Sequence, residues 1–577
     1  MPVHGQTATL VDSLLQEYKK PKALKERMEL LDNLALVIMT TSLEQGDAYG
    51  NEMIVTAEKS RDREALVKAY ISNGIRCKSY AGIRDYAAKA TNFFEEGKVL
   101  AQKNKLDKYR TYILVQQAAL QLQLTNIESA AKYLDQATAL GYNKDDSTIA
   151  VLALTRGDIQ LARNEKIDAF RSYLSAYRRA DSIGNPSLQR QGMLKLADFY
   201  ASIEDYDKAI DYYVQATKKL QELPASFRLG FAKVTNTKSI GDLYTAKKSY
   251  TLAQSYYDES IRIADSLRYT PLKMQGYVGL LNVYVHMKEP QKSMEFMNSE
   301  KGAKLKEYLG GLGMYPIADQ AYAIIYSEMG KLDSAQKYFD RSAPFFNQSR
   351  NPGMKMMNLL QTAYFMKRKG DKQQAINLLL QADSIAKTMG QLEYAIEVNK
   401  NLDTLYNDIG EYKQSKIYSA AYYQSKDSLE TLNKEKELSQ IEADDALQQV
   451  QKEEVLREEK RNARNNLQYV AITVGIITVF FLLVLLGMFR VSARTIKTIG
   501  FFAFLMFFEF IFLVSKTTFH EISHGEPWID LLFLIGLAAI LVPLHHALEH
   551  KLLHYLTTQN KLTHAGDRLK ARLARKN

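Results

Sequence analysis

A histidine-rich stretch near the C-terminus offers the clearest metal chemistry in this sequence. His520, Glu521 and His524 form the pattern H-E-x-x-H, which on a helix places two imidazoles one turn apart with a carboxylate beside them. Such a group can bind zinc and activate a water molecule for hydrolysis. The Gly-Glu-Pro that follows ends a helix, and the sequence shows no substrate cleft here, so a metal-dependent enzyme is the alternative interpretation.

A second set of histidines follows at helical spacing. His546, His550 and His554 fall at positions i, i+4 and i+8, which places them on one helix face. This spacing suits a divalent metal or a pH-sensitive group of imidazole rings. The alternative is that these histidines only anchor the end of the helix and bind no ligand. Beyond this divalent metal, no cofactor is predicted. The single cysteine, Cys77, excludes disulfides and cysteine-based metal clusters.

Binding of phosphate or nucleic acid is not predicted. The glycine-rich run at residues 310–313 is not followed by the Lys-Ser/Thr of a phosphate-binding loop. The net charge is +11, but the basic excess is concentrated near the C-terminus. The basic tail, residues 558–577, is too short for a DNA-binding domain. Attraction to anionic lipid is the simplest account of its charge.

A pattern of small and aromatic residues recurs along most of the chain. In one unit, Ala197 and Tyr200 are followed by Ala209, Tyr213 and Ala216. The units start at residues 118, 157, 197, 241, 281, 323, 363 and 403. The interval stays between 39 and 44 residues, which indicates an array of helical hairpins. In each hairpin the small residue lets helix A approach its neighbour, and the aromatic ring fills the space beside it.

This pattern resembles the tetratricopeptide repeat over roughly residues 25–425, although the usual period there is ~34 residues. The resemblance implies an all-α superhelix of stacked hairpins that binds a protein or peptide partner in its concave groove. Before residue 118 the pattern is loose and predicts one or two degenerate hairpins. The chain has 36 tyrosines and one tryptophan. The tyrosines are interpreted as residues whose rings pack in the core and whose hydroxyl groups form a polar tip.

One position of helix A carries a row of acidic and amide residues. The residue after the small residue is Asp158, Asp198, Asp242 and Asn282 in four consecutive units. Helix A lines the concave surface in repeats of this type, so an acidic groove that binds a cationic or donor-rich partner is predicted. The alternative is that these carboxylates bond locally to neighbouring turns.

The C-terminal part of the chain predicts a stalk followed by a membrane module. Residues 426–467 are highly charged and indicate one long coiled-coil-like helix, which is compatible with a homodimer. The membrane module, residues 468–557, contains three apolar stretches that predict transmembrane helices. These stretches cover about residues 469–489, 499–515 and 531–548.

The distribution of basic residues predicts an orientation for this module. Lysine and arginine are enriched in the first loop and in the tail 558–577, which places both in the cytoplasm. The repeat array then lies on the periplasmic side of a bacterial inner membrane. Residues 1–24 do not form a signal peptide and are interpreted as a leader remnant, with the signal peptide missing. Glu509 is predicted to be an intramembrane polar residue that faces another helix.

The order of parts is similar to that of bacterial tetratricopeptide-type sensor proteins through residue 489. The resemblance includes the segment Tyr-Tyr-Gln-Ser-Lys-Asp-Ser-Leu at residues 422–429, just before the stalk. Beyond residue 489, no kinase or DNA-binding motif is present. The sequence therefore predicts a non-enzymatic, membrane-anchored interaction protein, acting as a sensor or scaffold in signal transduction. The alternative is a metal-dependent membrane enzyme built on His520, Glu521 and His524.

Overall fold

A computed structural model gives the three-dimensional structure of the chain. The residues that it describes are 5–83, 85–140, 145–224, 226–349, 352–389 and 392–488, together with scattered residues between 495 and 571. The chain divides into two compact units, residues 1–446 and residues 447–577.

The described residues form α-helices joined by short turns, and no strand occurs among them. Antiparallel pairs of consecutive helices form the hairpins, with helix A first and helix B second. The helices are α1 Gly5–Tyr18, α2 Leu24–Met39, α3 Leu43–Ser60, α4 Arg63–Lys78, α5 Tyr86–Lys103, α6 Asp107–Gln123, α7 Ile127–Ala139, α8 Asp146–Ala162, α9 Lys166–Ser182, α10 Pro186–Ser202, α11 Tyr206–Lys219, α12 Phe227–Ala246, α13 Tyr250–Ser266, α14 Thr270–His286, α15 Pro290–Asn298, α16 Glu300–Gly311, α17 Tyr315–Glu328, α18 Leu332–Asn347, α19 Pro352–Lys369, α20 Lys372–Met389, α21 Leu392–Asp408 and α22 Tyr412–Met488. The predicted all-α array of hairpins is confirmed, and α2–α3 and α4–α5 form the two hairpins before the regular repeats.

Helix starts and ends are encoded locally. Asp205 begins α11 by accepting a hydrogen bond from the backbone N–H of Lys208 at 3.2 Å, which satisfies a donor that the helix leaves free. The preceding residue, Glu204, adopts a left-handed conformation with φ of 62°. Gly330 and Gly370 occupy the same place in later hairpins, with φ of 74° and 92°. These left-handed residues therefore end helix A and begin the turn to helix B.

Contacts between small and aromatic residues hold helix A against helix B. A methyl group added at Gly157 on α8 would lie 2.4 Å from Cε1 of Tyr173 on α9. The same holds at Gly279 on α14, where the distance to Cε1 of Tyr257 would be 2.3 Å. Because Tyr173 and Tyr257 are each only 1% exposed, the rings cannot move aside easily. This confirms the packing role predicted for the tyrosines.

The array also closes on itself. Residues of α2 pack against α12 and α14, which come much later in the chain, and Tyr269 donates a hydrogen bond to Thr40 at 2.6 Å. The closing cluster is apolar and consists of Val37, Val234, Ile263, Ala264, Tyr269 and Leu272, with Leu10, Val11 and Leu14 of α1 packed against it. The segment interpreted as a leader remnant is therefore largely a helix that contributes to the array.

A buried ionic network lies beside this closure. The Arg76 guanidinium, whose side chain is 4% exposed, pairs with the Asp32 carboxylate at 2.8 Å. Asp32 also accepts hydrogen bonds from Ser72 and from Arg228 of α12. Burial lowers the pKa of Arg76, and the Asp32 charge opposes that shift. The network thus joins α2, α4 and α12 around a cation that has little access to water.

Helix α22 differs from the predicted stalk. It begins at Tyr412 rather than at residue 426, and residues 436–446, here called the docked arm, pack on the turn between α10 and α11. The arm makes three polar links to this turn: Lys436 pairs with Glu204, Gln440 donates to the Ile203 carbonyl at 2.8 Å, and Lys208 pairs with Asp444 at 2.5 Å. Small residues at Ser439, Ala443 and Ala446 are buried, which permits close approach. Although this part of the helix is highly charged, one of its faces packs against the protein and is not surrounded by solvent.

The predicted transmembrane stretches are only partly described. Residues 469–488 belong to α22, whereas seven of residues 499–515 and nine of residues 531–548 lie outside the described residues. Within the described part of the chain, no helix combines the length and the apolar character needed to span a bilayer. The spans, the lipid contact and the homodimer remain predictions.

Candidate functional site

An apolar cavity opens on the A-helix side of the first regular hairpins. Its volume is about 530 Å³, within the range of ligand pockets, roughly 300–1,000 Å³. Four consecutive A helices, α4, α6, α8 and α10, contribute its walls. The apolar lining consists of Ile71, Ile75, Tyr112, Val115, Val151, Leu152 and Leu188. Because each wall comes from a different hairpin, the cavity exists only when the hairpins stack in this order.

Polar groups surround the opening and are mostly engaged with one another. Asp145 begins α8 and accepts from Thr148 Oγ1 at 2.8 Å, and Asn185 begins α10 by accepting from the Leu188 N–H at 3.2 Å. The Tyr112 side chain is 38% exposed and projects from α6 into the lining. The result is an apolar recess with a polar rim, an arrangement that suits an apolar side chain of a ligand.

A polar cluster lies about one helical turn further along α4. Lys78 donates a hydrogen bond to the side-chain oxygen of Gln116 on α6 at 2.7 Å. Asp158 on α8 pairs with Lys195 on α10 at 2.8 Å and accepts a hydrogen bond from Tyr173 at 2.8 Å. These contacts connect α4 with α6 and α8 with α10.

Lys78 is electrostatically unusual within this cluster. Burial and, to a smaller extent, the neighbouring Lys195 charge lower its pKa to about 8, against the opposing effect of the Asp158 charge. Gln116 is the hydrogen-bond acceptor of its ammonium group, and no carboxylate pairs with it among the described residues. A half-buried ammonium without a counterion is unfavourable, so this side chain is a candidate ligand contact.

The predicted acidic row has a regular local geometry. Each aspartate accepts a hydrogen bond from a tyrosine at a constant distance along the sequence, on helix B. The pairs are Asp158 with Tyr173 at 2.8 Å, Asp198 with Tyr213 at 2.5 Å and Asp242 with Tyr257 at 2.7 Å. Burial raises the pKa of Asp198. Asp198, Asp242 and Asn282 are exposed, so the row is accessible. The hydrogen bonds of its aspartates are nevertheless local, since each goes to a tyrosine of the paired helix B. Partner binding by the row remains a prediction.

The residues predicted to bind metal are mostly not described. His520, Glu521, His524 and His554, and also Glu509, lie outside the described residues, whereas His546 and His550 are within them. In the part of the chain that the structure covers, no group of three or more histidine, cysteine or carboxylate side chains could hold an ion. The divalent metal therefore stays a prediction.

Sequence reasoning missed both the cavity and Lys78. Lys78 ends α4 in the region where the repeat pattern is loose, and its partners come from three other hairpins. The constant spacing between aspartate and tyrosine, in contrast, is visible in the sequence and would have identified the local bonds of Asp158, Asp198 and Asp242.

Comparison with known proteins identifies one hairpin. The tetratricopeptide-repeat model matches residues 191–218, which lie in α10 and α11. No curated protein matches the chain.

Solved structures of helical-repeat proteins are similar in fold. The apo form of RapI is 12% identical with a TM-score of 0.48, covering 63% of this chain and 98% of that one. The apo form of the quorum sensor NprR from B. thuringiensis is 16% identical with a TM-score of 0.43, covering 61% and 97%. A Rap protein complexed with Competence and Sporulation Factor is 14% identical with a TM-score of 0.42, covering 63% and 99%.

Proposed function

We propose that this protein is a non-enzymatic interaction module that binds a peptide segment of a partner on the A-helix side of its repeat array. The observation that carries the proposal is the apolar cavity formed jointly by α4, α6, α8 and α10. An apolar side chain of the ligand fills the cavity, and its backbone passes the polar groups of the neighbouring A helices.

The architecture favours a segment over a compact small molecule. The cluster of Lys78 and Asp158 lies on α4 and α8, two of the helices that line the cavity. Asp198 on α10 and Asp242 on α12 continue the row, so polar groups extend along several consecutive hairpins. Stacked hairpins form extended concave surfaces of this kind. An apolar anchor supplies affinity, and adjacent polar groups supply orientation.

Blocking the cavity should abolish peptide binding. Tyr112→Arg places a charged side chain among Ile75, Val115 and Val151, which removes the apolar recess. We expect affinity to fall at least tenfold, since losing one well-buried apolar side chain costs about 1.5–3 kcal/mol. The measurement is selection of phage-displayed random peptides on the full chain, followed by titration of the selected peptides against wild type and variant.

The matched control is Val99→Arg. Val99 lies on α5, a B helix, and is 63% exposed, so the same new charge stays in solvent outside the cavity. Peptides selected on the wild type should bind this variant unchanged. Equal losses in both variants, or no loss with Tyr112→Arg, would contradict the proposed site.

A sensor or scaffold role is supported by the docked arm. The turn between α10 and α11 holds residues 436–446 of α22, and α10 also contributes Leu188 to the cavity. If ligand binding shifts α10, the α10–α11 turn moves with it, and so does the docked arm of α22 that packs on this turn. We propose that occupancy of the array is passed on through this helix.

We further propose that the chain attaches to a bacterial inner membrane through residues 469–489, with the array on the periplasmic side and the tail in the cytoplasm. Support comes from the lack of charge in this stretch and from its exposed side chains. Val470, Ile472, Val474, Ile477, Phe481 and Leu482 are between 40% and 70% exposed. A helix that is apolar on all sides is buried in protein or lipid.

Membrane attachment predicts resistance to alkaline extraction. In cells that express the full chain, the protein should remain in the membrane pellet after treatment with sodium carbonate, because an apolar helix of this length is held by the hydrocarbon core. The proposal would be contradicted if the treatment released the protein into the supernatant and the released protein were folded and monodisperse.

A further inference from the structure

A second cavity lies where the array closes on itself. Its volume is about 560 Å³, also within the size range of ligand pockets. The walls come from the end of α2, the turn after α4, and the helices α12, α14 and α16. Because α2 and α14 are far apart in the sequence, this cavity exists only in the closed array. It shares no described residue with the cavity of α4, α6, α8 and α10.

Most of the lining of this closure cavity is apolar. Apolar side chains that line it include Met39, Leu43, Ile83, Met274, Val278 and Leu305. Two of them are poorly covered, since Ile83 is 45% exposed and Val278 is 49% exposed. An apolar group bound in the cavity would remove this surface from water, which is favourable.

Two tyrosine hydroxyls in the closure cavity are available as hydrogen-bond donors. Tyr80 follows α4 and Tyr308 lies on α16, and both line the cavity. Burial raises the pKa of Tyr269, and the nearby Tyr80 and Tyr308 add to that shift, so the three phenols are neighbours. The Tyr269 hydroxyl is engaged with Thr40 at 2.6 Å. Within the part of the chain that the structure describes, the hydroxyls of Tyr80 and Tyr308 make no hydrogen bond, so both can donate to a bound molecule.

The charge at this cavity is balanced. Among the described residues that line it, Lys238 on α12 is the one charged side chain, and it pairs with the Asp242 carboxylate at 2.6 Å. An ionised ligand group would therefore lose water here without gaining a free opposite charge, which is unfavourable. The cavity thus offers apolar surface and two neutral donors, and it favours a neutral ligand.

We propose that the closure cavity binds a neutral, largely apolar small molecule that carries a carbonyl oxygen, and that the Tyr80 and Tyr308 hydroxyls are the donors that recognise this oxygen. The site goes beyond the proposed peptide binding and does not depend on it. The ligand contacts the end of α2 and the start of α14 at once, so it binds only the closed array and stabilises the closure.

The test measures binding of three series of phenyl compounds to the full chain by equilibrium dialysis. The first series consists of phenyl alkyl ketones with acyl chains from butanoyl to octanoyl. The second consists of alkylbenzenes of the same lengths, and the third of the same ketones with a terminal carboxylate. We expect the ketones to bind about fivefold more tightly than the alkylbenzenes, the usual net effect of one neutral hydrogen bond. They should bind at least about tenfold more tightly than the carboxylates.

A blocking variant assigns the binding to this cavity. Val278→Trp places a large ring at the opening, at a position that is already exposed, and should abolish retention of the ketones. Leu252→Trp makes a similar change on α13, where Leu252 is 47% exposed and lies outside the cavity, and should bind the ketones as the wild type does. Retention that Val278→Trp also shows is partitioning into detergent and is subtracted.

Hydroxyl variants assign the preference for a carbonyl group. The double variant Tyr80→Phe with Tyr308→Phe keeps both rings and removes both donors. It should bind ketones and alkylbenzenes equally, with the affinity for alkylbenzenes unchanged. Tyr412→Phe, at a position of α22 that is 69% exposed, is the matched control and should keep the preference.

Hydrogen exchange measured by mass spectrometry tests the link to the closure. Saturation with the best-bound ketone should slow exchange in residues 37–43 and 270–278 about three- to tenfold, because binding to the closed form makes local opening rarer. Residues 392–408, which form α21, should exchange at an unchanged rate.

The other outcomes overturn the proposal. The site is wrong if Val278→Trp binds the ketones as the wild type does, if no ketone is retained, or if Tyr112→Arg, at the other cavity, abolishes ketone binding. The ligand class is wrong if alkylbenzenes or carboxylates bind as tightly as the ketones, or if the double tyrosine variant keeps the preference. Unchanged exchange at residues 37–43 and 270–278 with bound ketone overturns the link to the closure.

Discussion

Replacement of Asp32 by alanine is expected to lower the free energy of unfolding of the array by about 3–5 kcal/mol. The side chain of Arg76 is 4% exposed, and Asp32 is the carboxylate that pairs with it, at 2.8 Å. Without Asp32, the guanidinium remains buried next to Asn73, which cannot neutralise it. The variant also loses the link from Asp32 to Arg228, which joins α2 to α12.

Urea denaturation followed by circular dichroism measures this loss. The double variant Asp32→Ala with Arg76→Met should recover most of the lost stability, because it leaves no unpaired charge buried at residue 76. Asp340→Ala, at an exposed position on α18, should change the free energy of unfolding by less than about 0.5 kcal/mol. The pairing would be unimportant if Asp32→Ala matched this control, or if the double variant were no more stable than Asp32→Ala.

A glutamate at Ala443 is expected to release the docked arm from the α10–α11 turn. Ala443 is 0% exposed, and placing a carboxylate there costs several kcal/mol unless the helix moves away. Release breaks the three polar links of residues 436–446 without altering the hairpins that form the cavity. The ligand should still bind, but its effect on α22 should disappear.

Hydrogen exchange measured by mass spectrometry distinguishes these outcomes. In Ala443→Glu, peptides covering residues 203–208 and 436–446 should exchange about 10–100-fold faster than in the wild type, because local opening becomes easier, while peptides from α4 to α8 stay unchanged. Ala420→Glu makes the same substitution at an exposed position of the same helix and should show no such increase. Unchanged exchange in both variants would mean that the arm is not held by this contact.

The hairpin architecture could be predicted from the sequence because its determinants are local. Gly157 and Tyr173, or Gly241 and Tyr257, lie close together in the sequence, and each pair packs helix A against helix B within a single hairpin. The turn at Glu204 is likewise set by its immediate neighbours. A contact that recurs in every hairpin requires the same residue types at a regular interval in the sequence. The regular interval between units therefore indicated the array of hairpins.

The candidate site could not be predicted, because its parts come from distant hairpins. Lys78 and Lys195 approach each other only after four A helices have stacked, and Arg228 reaches Asp32 from a position far along the chain. The docked arm illustrates the same limit. Its charge pattern is typical of an exposed helix, yet Lys208 and Asp444, separated by 236 positions, pair in the folded chain.

The contact between Tyr269 and Thr40 has a consequence for how the array melts. A linear stack unfolds gradually from its ends, because every hairpin depends only on its neighbours. Here α1 and α2 pack against α12 and α14, so the first and last hairpins of this part of the array are in direct contact. Residues 5–286 should therefore melt in one all-or-none step.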